Sequence, residues 1–140
     1  MKLKTIDDLK IGQQAEYSKM ISREDVIQFA ELTGDMNPLH LDEEYAAGTM
    51  FGKPLVHGAM LSGLISAVLG MKLPGPGALY ASQELKYLKP VFIGDTVTAF
   101  VEVKEILKDN NRVIFRTGCT NQSRELVAEG ISLLLPSKQQ

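Results

Sequence analysis

The chain is poor in the residues that build metal and disulfide sites: it has one cysteine and two histidines. A lone Cys119 excludes an intrachain disulfide framework and a cysteine-built zinc site, and it suits a reducing, cytoplasmic setting. His40 and His57 are too few and too far apart along the chain for a usual histidine-rich metal site, so no metal is expected. Charge of one sign is also lacking. Fifteen Lys and Arg stand against seventeen Asp and Glu, a formal charge of −2. That balance gives no electrostatic reason to bind nucleic acid or an anionic membrane surface non-specifically. The acidic pair Asp7-Asp8 arrives before any apolar h-region develops, so no signal peptide is expected. Internal repeats, low-complexity runs and linkers are absent.

What is present is an ordinary globular composition, 44% hydrophobic and 23% charged over 140 residues, enough for a single domain spanning 1–140. Ser22 to Thr33 reads as a helix. Ser22 is placed to cap it, with Asp25 three residues on in a capping-box position. Val26, Ile27, Phe29, Ala30 and Thr33 make its less polar face, and Gly34 is its stop. Asp42 is placed to cap a second, short helix through Glu43 to Ala47.

Residues 54–71 carry no formally charged side chain. Eighteen such residues reach the length of a membrane-spanning candidate. Three glycines, two serines and a histidine dilute the run, and the rest of the chain needs something apolar to pack on. A helix that is apolar all round is one enclosed by other structure. After the breaker Pro74-Gly75-Pro76-Gly77 the pattern changes to period two. Val97, Ala99, Val101 and Val103 alternate with polar or larger residues. Val113, Phe115, Thr117 and Cys119 share one face of a following strand. Asp109-Asn110-Asn111 and Asn121 to Arg124 read as turns, Leu126 to Leu135 as a last strand, and Ala78 to Leu88 as an earlier one. Successive strands joined by turn signals imply an antiparallel sheet, and with one apolar helix they predict an α+β layer in which the sheet covers the helix.

The stretch with chemical content follows Gly34. Asp35, Asn37 and His40 fall within six residues, stiffened by Pro38. A residue before proline avoids the helical region, so a bend is expected at Asn37. Such a bend can aim a carboxylate and an imidazole at one point, a pair able to accept and donate protons near neutral pH. The residues alone leave a plainer reading open: Asp35 caps a turn, Asn37 makes an Asx-turn and His40 lies on the surface.

The longer pattern narrows this. Gly34-Asp35-Met36-Asn37-Pro38-Leu39-His40 resembles the signature of the MaoC-like (R)-specific enoyl-CoA hydratases, or hydratase 2 family. The resemblance continues through Phe51 to Met60, with Val56-His57-Gly58 at its centre, and through Leu88 to Asp95. It implies a hot-dog fold, an antiparallel sheet around a long central helix. It also implies reversible hydration of trans-2-enoyl-CoA to (R)-3-hydroxyacyl-CoA, a step of fatty acid metabolism, with Asp35 and His40 as the catalytic pair. It assigns Gly58, at the start of the apolar helix, as the backbone oxyanion donor. Ser66 matches a supporting serine, with Ser62 one turn earlier as its rival, and Asn37 orients the loop. His57 matches no catalytic position and is expected to pack or hydrogen-bond at the helix start. Leu69, Val68 and Met71 are candidates to line an acyl pocket. No cofactor is expected, CoA being part of the acyl-CoA thioester substrate, and a homodimer or higher homo-oligomer is. A 3-hydroxyacyl-carrier-protein dehydratase, a hot-dog acyl-CoA thioesterase and a non-catalytic acyl-CoA-binding module are the alternatives.

Overall fold

A computed structural model describes residues 3–139. Of the amino-terminal segment read above for a signal, Met1 and Lys2 lie outside the described residues. Strand β1 (Gln14–Met20) precedes helix α1 (Arg23–Thr33), two short helices α2 (Pro38–Leu41) and α3 (Glu43–Ala47), and the long helix α4 (Gly58–Met71). Strands β2 (Leu79–Tyr87), β3 (Thr96–Leu107), β4 (Arg112–Thr120) and β5 (Leu126–Leu135) follow. They form one five-stranded sheet in the order β1-β3-β4-β5-β2, every neighbouring pair antiparallel. The sheet curls around α4, which is the hot-dog arrangement.

The period-two pattern has its cause in this wrap. Val97, Ala99, Val101 and Val103 on β3, and Val113, Phe115 and Cys119 on β4, are fully buried against the helix side. From α4, Met60, Leu61, Leu64, Ile65, Val68 and Leu69 enter the same core. The helix is fourteen residues long, about 21 Å at 1.5 Å per residue. Among the described residues no helix is long and apolar enough to cross a membrane. Leu69 and Val68 are core residues, whereas Met71 is 72% exposed, so these three do not share one pocket wall.

Buried polar groups on the inner face are paired with one another. Thr117 Oγ1 and Ser132 Oγ lie 3.0 Å apart, and the Gln83 amide donates to Thr117 Oγ1 at 3.2 Å. Strand β1 has no counterpart in the sequence pattern. It is an edge strand, mostly exposed on both faces, and a strand without a buried face carries little hydrophobic alternation to read.

Candidate active site

The end of α1 builds the first wall. Ser22 and Asp25 form the expected capping box, with Asp25 N–H donating to Ser22 Oγ at 3.1 Å and Ser22 N–H to Asp25 Oδ2 at 2.9 Å. The Ser22 N–H, with Lys19 beside it, favours the ionised form and holds the Asp25 carboxyl below its ordinary value. Gly34 terminates the helix in the left-handed conformation, φ 86°, which glycine adopts without steric cost. The chain then folds on its own polar atoms. Asp35 N–H donates to Thr33 Oγ1 at 3.2 Å, Asn37 N–H to Asp35 Oδ1 at 3.3 Å, and Leu39 N–H to Asn37 Oδ1 at 3.0 Å.

The bend at Asn37 is there, and it opens directly into α2, with Asn37 as N-cap and Pro38 in the first turn. Proline suits that position because its missing N–H has no partner to lose. The short helix turns His40 inward. His40 Nδ1–H donates to the carbonyl of Leu55 at 2.7 Å, and Leu55 N–H donates back to Leu39 at 3.1 Å. Leu55 and Val56 pair with Phe92 and Val91, so the segment Leu88 to Asp95 supports the site from behind. A neutral imidazole that donates through Nδ1 keeps its lone pair on Nε2, so Nε2 of His40 is the atom free for chemistry.

His57 packs and hydrogen-bonds at the helix start, as expected, and its partners are what the sequence could not name. It is the N-cap of α4 without a side-chain cap bond. Its ring stacks on His40, centroids 3.9 Å apart, with Phe29 tilted against it at 4.8 Å. His57 Nε2–H donates to the main-chain carbonyl of Asp35 at 3.1 Å. Burial pushes its pKa below the ordinary 6.5, against the opposing pull of the Asp35 carbonyl. One side-chain ligand atom each from Asp35, His40 and His57 lie within 4.8 Å of one another. Two histidines separated in the chain thus meet in space. A carboxylate and two imidazoles are a metal-type donor set. One nitrogen of each ring is committed to a carbonyl, however, and the remaining nitrogen of His57 is fully buried. The arrangement therefore suits proton transfer better than ligation.

Gly58 opens α4 beside this cluster. The first N–H groups of a helix lack intrahelical partners and lie at the positive end of its dipole. A Cβ here would sit 2.9 Å from Cζ of Tyr87, so glycine also serves packing. A cavity of about 300 Å³ opens at this spot, lined by Phe51, Leu55, Gly58, Leu61, Tyr87 and Leu88. A larger one of about 420 Å³, around Lys86, Arg116 and Ile131, lies across β2, β4 and β5 on the outer sheet face, away from the Asp35–His40 pair. Ser66 is half-buried two turns along α4. Asp35 accepts from Asn37 and His40 is held by Leu55; among the described residues no hydrogen bond joins either of them to the Ser66 or Ser62 hydroxyl.

Comparison with known proteins agrees with this geometry. The family profile described as MaoC like domain matches residues 8–125. An (R)-specific enoyl-CoA hydratase of Rhodospirillum rubrum is 44% identical over 132 residues, covering 94% of this chain and 92% of the relative. A 3-hydroxybutyryl-CoA dehydratase of Methylorubrum extorquens is 47% identical over 136 residues, 96% of this chain and 85% of its own. The unliganded R-hydratase of Pseudomonas aeruginosa superposes with a TM-score of 0.91 at 38% identity, over 96% of this chain and 86% of that one.

Proposed function

Because the chain belongs to the MaoC-like domain family, we propose that it is a hydro-lyase: it adds water reversibly to trans-2-enoyl-CoA, giving (R)-3-hydroxyacyl-CoA. The observation that carries this reading is the carboxylate of Asp35 and a ring nitrogen of His40 within 4.8 Å, beside the start of α4. Groups no farther apart than that can share one water hydrogen-bonded to both, at about 2.8 Å each. The water donates one hydrogen to Nε2 of His40 and one to the Asp35 carboxylate, which leaves an oxygen lone pair for Cβ. As the C–O bond forms, one proton leaves the water to this pair, and the pair returns one proton to Cα, so that its protonation is unchanged over the reaction. The two groups act as a coupled acid–base unit.

Attack at Cβ moves negative charge onto the thioester oxygen. The N–H of Gly58 is the proposed donor to it, and one such donor contributes roughly 3–4 kcal/mol of transition-state stabilisation. Asn37 serves the loop as the cap of α2. Ser66 is proposed only as a residue of the helix face near the acyl group. Water addition transfers no electrons and calls for no redox cofactor, CoA being carried by the substrate. Residues 1–140 are proposed to act as one domain, in a cytoplasmic setting that suits a buried thiol.

A homodimer is proposed along edge strand β2, where Leu79 and Tyr87 are 62% and 54% exposed. A partner strand there would cover both side chains, of which Tyr87 borders the cavity. Light scattering on the purified protein tests it, with a monomeric mass as the contrary result.

The test of the activity is loss of the enoyl-thioester absorbance of crotonyl-CoA, with the product oxidised by an (R)-specific 3-hydroxyacyl-CoA dehydrogenase. No turnover of short or medium enoyl-CoAs, or an (S) product, removes the proposal. Faster turnover of the same acyl group on a carrier protein favours the carrier-protein dehydratase. Release of free thiol from acyl-CoA points to a thioesterase.

A further inference from the structure

His57 is 1% exposed, and its Nδ1 is buried without a hydrogen-bond partner. An apolar residue would avoid that cost. The other ring nitrogen explains the choice. Nε2–H is held 3.1 Å from the carbonyl of Asp35, a residue whose N–H has only the hydroxyl of Thr33. The ring face lies on His40, and the next residue in the chain is Gly58. One side chain thus touches or adjoins all three parts of the proposed machinery.

We propose that His57 is a positioning residue, which anchors the main chain of Asp35 through a neutral Nε2–H tautomer and backs the ring of His40. This rests on the hydratase reading for its kinetic consequence but not for its chemical one. A carbonyl only accepts, so the Nε2 proton is required by the geometry. Charging the ring would place a second proton on Nδ1, where no acceptor exists. The groups facing His57 are Asp35 from the loop after α1, His40 from α2, and Phe29 from α1. Asp35 favours the charged form, His40 opposes it, and burial outweighs both.

Two substitutions separate the donor from the ring. Glutamine places an amide N–H near the Nε2 position, and phenylalanine keeps the stacking face without a donor. The expected result is that His57→Phe lowers kcat at least about tenfold, as small displacements of reacting groups do, with KM within about twofold. His57→Gln is expected to recover about fivefold or more over His57→Phe. Activity of His57→Phe equal to or above His57→Gln overturns the proposal, because a purely packing role predicts that order. The second measurement needs no activity: imidazole nitrogen NMR of the wild-type protein, assigned with either variant. His57 is expected as the Nε2–H tautomer, taking up a second proton only below the ordinary histidine value of 6.5. A Nδ1–H tautomer, or titration at the ordinary value, overturns it. Wild type that fails to hydrate any enoyl-CoA sinks the hydratase reading alone, and the tautomer still decides this inference.

Discussion

His40 and His57 lie face to face with their planes inclined by 26°, and they donate through opposite nitrogens. His40 uses Nδ1, towards Leu55, and His57 uses Nε2, towards Asp35. The pair therefore carries protons on opposite ring nitrogens, with Nε2 of His40 turned away from its carbonyl and Nδ1 of His57 buried.

Asp35→Asn is expected to lower kcat on crotonyl-CoA at least about a hundredfold, the low end for general acid–base catalysis. Its thermal midpoint should move little. Asp35 is exposed, and among the described residues its carboxylate accepts only the nearby N–H of Asn37 at 3.3 Å. Activity within tenfold of wild type removes Asp35 from the mechanism.

His40→Asn keeps an amide donor near the Nδ1 position for the Leu55 carbonyl and removes Nε2. We expect a native circular dichroism spectrum and a loss of turnover of about a hundredfold or more. Retained turnover would show that Nε2 is not the acting atom.

Gly58→Ala brings a methyl to 2.9 Å from Cζ of Tyr87, a ring that is 54% exposed and can yield. The alanine keeps its N–H, so the methyl acts by crowding the approach to that donor: the fold is expected to survive, while turnover falls about tenfold or more, part of the roughly hundredfold or greater cost of a donor lost outright. Adding Tyr87→Ala relieves the clash. If the double variant recovers wild-type turnover, Gly58 serves packing alone.

The pH dependence of stability has a definite sign. Native His57 resists its proton, while the unfolded chain takes it near 6.5. Stability at neutral pH is therefore lost as pH falls below 6.5 towards the lowered native value. Urea unfolding at pH 8, 7, 6 and 5 should show this slope in wild type and a weaker one in His57→Phe. Asp25 acts in a separate window. Its lowered carboxyl stabilises above the ordinary 3.8 and loses that contribution only in stronger acid.

Cys119 is buried against the core, and burial pushes its thiol up to about 12. A disulfide reagent at pH 8 should not label the native protein, and should label one thiol per chain in guanidinium. Rapid native labelling would mean that β4 opens readily.

Local signals made much of this protein readable. The Ser22–Asp25 box, the Gly34 stop and the Asp42 cap each satisfy backbone groups within a few residues, so the sequence carries them directly. β1 escaped because edge strands need only a partner's backbone, here β3 through pairs such as Tyr17 with Ala99. α2 escaped because four residues hold no periodicity. The functional motif was legible as a resemblance, since Gly34 to His40 is one contiguous stretch of the chain.

The residue types and their periods determined the apolar helix, the antiparallel strands and the acidic–imidazole stretch, because those follow from contacts between near neighbours. Tertiary structure alone decided that His57 lies on His40 and under Asp35. The bonds that hold it, to groups 22 residues away in the chain for the Asp35 carbonyl, form only when the start of α4 docks beside the end of α1, and no local pattern encodes that distance.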